Sequence, residues 1–174
     1  MKRFVLFLAL GVSLLGVSSR AQAAQNYSVG NLLVGIGIGG GNANYTYGVN
    51  GLVLNPSVEI IFGAWDVNGI GLALGGTVNS SILFGAAVTG SLTVNPTFHV
   101  TIANRLDWYV GLGYGQTLQG NWVRYGAAFQ TGFNILTLNW LLVNIGLELQ
   151  GTQFFGVAGV KFRFGNFAKP RPTR

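Results

Sequence analysis

From Leu92 to Ala103 the chain reads LTVNPTFHVTIA, and alternate positions separate into two sets: Leu92, Val94, Pro96, Phe98, Val100 and Ile102 against Thr93, Asn95, Thr97, His99, Thr101 and Ala103. Side chains of a strand point alternately to opposite faces, so this segment has one apolar face and one hydrophilic face. The same alternation predicts strands at Gly30 to Gly39, Val53 to Phe62, Gly69 to Gly76, Ser91 to Ala103, Asp107 to Gly115, Val123 to Phe133, Leu141 to Leu149 and Phe154 to Phe164. Each is near the roughly 9 to 11 residues with which a tilted strand crosses hydrocarbon, and an even count closes as an up-and-down barrel. A soluble sandwich also alternates, but its polar face looks into water and carries Lys, Glu, Arg and Asp at ordinary frequency. Charged residues make up only 8% of this chain. An oily exterior against lipid and a narrow polar lumen account for both facts. The fold read from the pattern is therefore all-β: an eight-stranded antiparallel up-and-down transmembrane β-barrel.

The predicted connections alternate in kind. Gly63 to Asn68, Asn104 to Leu106 and Asn134 to Trp140 form one set, mostly turn-like, with Asn68-Gly69 a hairpin signal. Gly40 to Leu52, Thr77 to Gly90, Gln116 to Trp122 and Gln150 to Gln153 form the other. With a periplasmic amino terminus, the first set faces the periplasm and the second faces outside. A weak repeat supports this register: Trp65 and Trp140 each open W-x5-G-L-x-L, and Trp108 opens the related WYVGLGYG. Trp65, Trp108 and Trp140 then form an aromatic girdle at the inner interface, with Tyr45 and Tyr47 assigned to the outer girdle. The apolar run SILFGAAV, Ser81 to Val88, reads most plainly as strand running on into the second outer connection. Asn55-Pro56 and Asn95-Pro96 hold matching places in the second and fourth strands; because proline donates no ladder bond, each is expected at a bulge or at the rim.

Charge and targeting signals refine this picture. Lys2 and Arg3 precede an apolar run from Phe4 to Val17 that ends near Ala21-Gln22-Ala23, the plan of a cleaved secretory signal and too short for a spanning helix. The expected division is a signal peptide at 1–23, a barrel at 24–164 and a basic periplasmic tail at 165–174. The net charge of +6 belongs mostly to these ends. Between Ala24 and Val160, Arg105 and Arg124 face Glu59, Asp66, Asp107 and Glu148, which excludes a nucleic-acid partner. The chain has no Cys, so neither a disulfide framework nor thiolate metal sites are expected, and no cofactor is implied.

On the lumen phase the small residues Gly35, Gly37, Gly39, Gly71, Ala73, Gly75, Gly111, Gly113, Gly126, Ala128, Gly132, Gly146 and Gly159 leave room inside a barrel otherwise just wide enough for side chains to fill. The same phase carries Glu59, His99, Arg124, Glu148, Lys161 and Arg163. A plugged, ion-paired interior is expected in place of an open aqueous channel.

The signal ending AQA, the strand WYVGLGYG from Trp108 to Gly115 and the last strand VAGVKFRF from Val157 to Phe164 resemble the small eight-stranded outer-membrane proteins, the superfamily that includes the OmpA transmembrane domain and the OmpX-like, OmpW-like and opacity-type barrels. The resemblance implies residence in the bacterial outer membrane, contact with its lipid, and insertion by the barrel-assembly machinery. Members often end on a terminal Phe; here the chain continues through GNFAKPRPTR, whose Lys169, Arg171 and Arg174 suit contact with peptidoglycan or anionic headgroups. Some lipid A deacylases are eight-stranded barrels with His and Ser two positions apart, and HVT from His99 to Thr101 resembles that spacing. The plainer reading of His99 is a lumen histidine satisfied by its neighbours. The function expected from the whole is a non-enzymatic barrel with a structural or surface-interaction role. The alternatives are a narrow pore or hydrophobic-solute barrel, and a lipid A-modifying enzyme.

Overall fold

The computed structural model describes residues 26–43, 49–85, 88–119, 122–151 and 153–165. The expected signal peptide, Tyr45, Tyr47 and the basic tail from 166 onward lie outside the described residues. Eight strands follow in chain order: β1 Leu32–Ala43, β2 Val49–Val67, β3 Ile70–Phe84, β4 Val88–Ala103, β5 Leu106–Gln119, β6 Trp122–Leu138, β7 Leu141–Gln150 and β8 Gln153–Phe164. Each pairs antiparallel with its sequence neighbours, and β8 returns to β1 to close the ring. Closure leaves no strand edge, which is what lets a sheet stand in hydrocarbon, where an unpaired backbone group finds no water.

The faces divide as the alternation requires. Val34, Ile36 and Ile38 of β1, Val58 and Ile60 of β2, and Ile145 and Leu147 of β7 all lie on the exposed exterior, and Leu112 of β5 is 67% exposed. Thr93, Asn95, Thr97, His99 and Thr101 are buried on the other side of the wall. A water-soluble protein does not display a continuous apolar belt while burying its polar groups; a barrel in lipid does.

Two apolar clusters sit inside the lumen, one toward each end. Tyr27, Leu33, Ile61, Ala73 and Leu142 form the inner cluster. Val53, Leu83, Phe155 and Val157 form the outer one.

Three strands reach the inner turns through a bulge: Phe62 in β2, Ile102 in β4 and Thr137 in β6 are each the extra residue in the pairing. Side chains alternate with period 2, so one added residue exchanges the faces of everything beyond it. Trp65 shares the odd-numbered positions of lumen-facing Glu59 and Ile61, yet it pairs with outward Leu72 and stands on the exterior because Phe62 intervenes. At the β2–β3 turn Asn68 and Gly69 both take positive φ, 53° and 87°, and the Gly69 amide donates to Asp66 Oδ1 at 3.0 Å, as an Asn-Gly hairpin turn demands.

The outer ends correct the sequence reading. Segments expected as loops at Gly40 to Leu52 and Thr77 to Gly90 are largely strand, and the outer connections shrink to 44–48, 85–87, 120–121 and 151–152. The run Ser81 to Phe84 continues β3 and Val88 opens β4, as expected from reading that apolar stretch as strand. Thr77, Asn79 and Ser81 look like loop residues by type, but in the barrel they are buried lumen positions alternating with Val78, Ser80 and Ile82.

The prolines correct it too. Pro56 and Pro96 lie within β2 and β4, exposed on the exterior, and neither is at a bulge or at the rim. Pairing of β2 with β3 skips Asn55 and Pro56, but Leu54↔Ile82 and Ser57↔Asn79 keep one register on either side. Across that gap the Asn55 side-chain amide donates to Ser81 Oγ at 2.7 Å, so a side-chain bond joins the strands where proline has no N–H to offer.

Cysteines introduced singly at Val100, Leu112 and Ile145 are expected to resist a bulky aqueous thiol reagent in intact vesicles. Free labelling at all three would reverse the assignment of the two faces.

Candidate functional site

The lumen face of nearly every strand contributes to a buried polar core. Its centre is His99 of β4. The imidazole Nε2 lies 2.8 Å from Glu59 Oε1 of β2, and Nδ1 lies 2.9 Å from Asp107 Oδ2 of β5. A carboxylate oxygen only accepts, so each ring nitrogen donates and the ring is an imidazolium held between two acids. Lys161 of β8 donates from Nζ to Glu59 Oε2 at 3.2 Å, and Thr97 donates to Glu59 Oε1 at 2.6 Å. Two carboxylates thus face two cations. Buried charge is tolerated under that condition, since an unpaired ion in a low-dielectric interior is strongly destabilising.

Tyr109 of β5 roofs this cluster. Its ring lies 4.8 Å from the Lys161 ammonium, and its hydroxyl accepts from Asn144 Nδ2 at 3.1 Å. The hydroxyl rests against β6 and β7 at Gly132 and Gly146, where an added Cβ would stand only 2.8 Å and 2.4 Å from its oxygen. Glycine there supplies the close approach that any side chain would block.

A second layer lies toward the outer end. Glu148 of β7 accepts at Oε2 from Asn55 Nδ2 (3.0 Å) and Ser81 Oγ (3.1 Å), and at Oε1 from Asn79 Nδ2 (3.2 Å). Asn79 also donates to Gln130 Oε1 of β6. This acid is held by amides and a hydroxyl in place of a cation.

Of the residues expected in the lumen network, Glu59, His99 and Lys161 come together, and Glu148 organises a layer of its own. Arg163 is buried at the inner mouth, where its guanidinium donates to the main-chain oxygens of Asn26 and Asn139. Arg124 pairs with buried Thr117 on the lumen phase but is itself exposed at the outer end of β6, which there has run past its last pairing with β7 at Ala128↔Gln150. Trp65 and Trp140 stand exposed on the exterior near the inner turns, Trp140 stacking on Phe162 at 6.1 Å. Trp108 is half-buried on the same face, and its indole N–H donates to Thr131 Oγ1 at 3.1 Å. Toward the outer end, Tyr114 and Tyr125 stack at 6.2 Å on the exterior, an aromatic pair that the pattern did not single out.

Sequence reasoning missed two central members. Asp107 is fully buried, yet by position it is the second residue after a turn, where an aspartate ordinarily faces water. Its phase was the available signal: Asp107, Tyr109 and Gly111 share the lumen side. Tyr27 precedes every periodic segment and gave no signal at all; its hydroxyl donates to Asp107 Oδ2 at 2.9 Å and accepts from Asn134 Nδ2 at 3.1 Å.

The chemistry open to this core is narrow. Both nitrogens of His99 are engaged by carboxylates, leaving no lone pair to draw a proton from Thr101 or from water. Among the described residues no group of three His, Cys, Asp or Glu side chains is placed to hold a metal ion.

No protein-family model and no curated protein sequence matches this chain. Solved structures do. The amino-terminal β-barrel domain of OprF from Pseudomonas aeruginosa is similar with a TM-score of 0.55 at 12% identity, over 79% of this chain and 100% of that one. The outer-membrane protein OprG of the same organism gives 0.52 at 11% identity, over 82% and 100%. A barrel from a de novo design of transmembrane β-barrels gives 0.54 at 13%, over 79% and 98%. The chain has the fold of the small eight-stranded outer-membrane barrels.

Replacing Lys161 with Met leaves Glu59 and Asp107 sharing one cation, and a loss of about 3–5 kcal/mol is expected, the usual cost of breaking a buried ion pair from one side. Arg124→Ala, at an exposed site, should stay within about 0.5 kcal/mol. Urea titration of the two variants in the same lipid or detergent measures both.

Proposed function

We propose that this protein is a non-enzymatic integral barrel of the bacterial outer membrane, closed to solutes, with a structural role and with partner contacts confined to its lipid-facing wall and narrow outer rim. The observation that carries this reading is the succession of side-chain layers across the lumen. An apolar layer around Tyr27, the neutral Glu59–His99–Asp107–Lys161 cluster, the Glu148 layer and a second apolar layer around Phe155 follow one another along the barrel. Eight strands enclose only enough space for side chains, so a barrel of this size conducts only where its lumen side chains leave a path. The exterior supplies the rest: an apolar belt with tryptophans near the inner turns suits a lipid bilayer and its interface.

The outer connections support a modest surface role. With links as brief as 120–121 and 151–152, the barrel offers little loop area for a large binding surface. Against lipid A chemistry stands the state of His99, a cation clamped by two acids and so no general base. The barrel-assembly machinery and the outer-membrane lipid remain the partners this reading requires, and the tail beyond 165 is assigned to anionic headgroups or peptidoglycan by its charge.

Purified full-length protein in planar bilayers is expected to give no unitary current steps, and reproducible openings would overturn the closed lumen in favour of a pore. Lipid A from cells expressing the protein should keep its mass. A mass change abolished by His99→Ala would overturn the non-enzymatic assignment.

A further inference from the structure

Just ahead of β1, Gly30 and Asn31 still bond to the main chain of Ile61 in β2, and the chain before them turns into the barrel mouth. The Tyr27 ring is 1% exposed and packs in one cluster with Leu33, Ile61, Ala73 and Leu142, contributed by β1, β2, β3 and β7. It meets the His99 ring of β4 edge-on at 4.9 Å. Its hydroxyl reaches β5 at Asp107 and β6 at Asn134. One side chain from outside the wall therefore draws on seven of the eight strands, a position available only near the barrel axis.

We infer that Asn26–Asn31 is a stopper, a removable strap whose Tyr27 ring closes the inner mouth and keeps water from the charge cluster behind it. The inference rests on the closed-lumen reading above and adds the element that does the closing at this end. The strap has its own fastening. The Gly30 amide donates to Ile61 O at 2.8 Å, and the Ile61 amide donates to Asn31 O at 2.9 Å. A tight turn bends the chain inward: the Asn31 amide donates to Ser28 O at 3.0 Å, the Ser28 amide to Asn31 Oδ1 at 2.8 Å, and Gly30 takes φ +85°. Arg163 fastens the far end through Asn26 O.

Among the described residues, the other groups closing the lumen are on wall strands and leave only if the sheet opens. The strap precedes β1, so it can withdraw at the cost of its own bonds while the strand ladder stays closed. Withdrawal would expose the Asp107 carboxylate, whose Oδ2 accepts from Tyr27, His99 and Asn134 together. A mouth shut by a detachable segment, with an ion cluster immediately behind it, is an autoinhibitory contact built into the fold.

The chain has no cysteine, so Ala73→Cys sets a single thiol in the layer that Tyr27 covers. In folded full-length protein a small charged methanethiosulfonate reagent should label this thiol slowly, and combining Ala73→Cys with Tyr27→Ala should speed labelling about tenfold or more, tracking the open population. An unchanged rate would overturn the stopper. Gly30→Val serves as the second variant: it alters no lumen side chain, and a β-branched residue is strained at φ +85°, so it should unseat the strap and accelerate labelling likewise. Labelling at the parent rate in Gly30→Val would also overturn the proposal, including where Tyr27→Ala fails to assemble. Conductance of the unaltered protein decides the closed-lumen reading separately: a silent bilayer with unaccelerated labelling removes the stopper alone, whereas openings remove both.

Discussion

Hydrocarbon offers no hydrogen bonds, and that constraint governs both surfaces of this protein. Outside, it demands that the strand ladder close on itself and present only apolar atoms, as β1 does by pairing with both β2 and β8 and turning Val34, Ile36 and Ile38 outward. Inside, Glu59, His99, Lys161 and Glu148 find their partners among the other lumen side chains. The two requirements meet at Pro56, where the ladder loses a donor on the lipid side of the wall and the Asn55 amide bridges to Ser81 on the lumen side.

The interior solves its charge problem in two different ways at two levels. Near the inner end, Glu59 and Asp107 clamp an imidazolium and share the interior with Lys161, so formal charges cancel. Farther out, Glu148 is surrounded by Asn55, Asn79 and Ser81, neutral donors whose hydrogen bonds hold its carboxyl group with no cation among them. The first arrangement is rigid because removing any member leaves an unmatched ion. The second loses one hydrogen bond at a time. The charge cluster is therefore the more sensitive part of the core to substitution.

How much of this was legible in the sequence follows from what period-2 alternation encodes. It reports which face a residue takes, so the eight strands, the lipid face and the lumen side of Glu59, His99 and Lys161 were readable from the chain. It reports strand ends poorly. Thr77, Asn79 and Ser81 carry side chains common in loops, and only enclosure by the opposite wall shows them to be lumen residues. Arg124 shows the converse: its phase was read correctly, but phase carries no height, and the position lies beyond the last pairing of β6 with β7. Tyr27 was invisible because it belongs to no strand, and its role arises from a turn centred on Gly30 that alternation does not describe. Asp107 could have been found by extending the phase of Tyr109 back through the turn.

The extra residues Phe62, Ile102 and Thr137 recur once in each of the three hairpins joined at the inner end. Each restores the exterior to apolar residues before its own turn, so the correction begins and ends inside a single β2–β3, β4–β5 or β6–β7 unit. A hairpin that carries its own phase adjustment is modular: duplicating or losing one whole unit changes the girth of the cylinder and leaves the inside and outside of every remaining strand as they were.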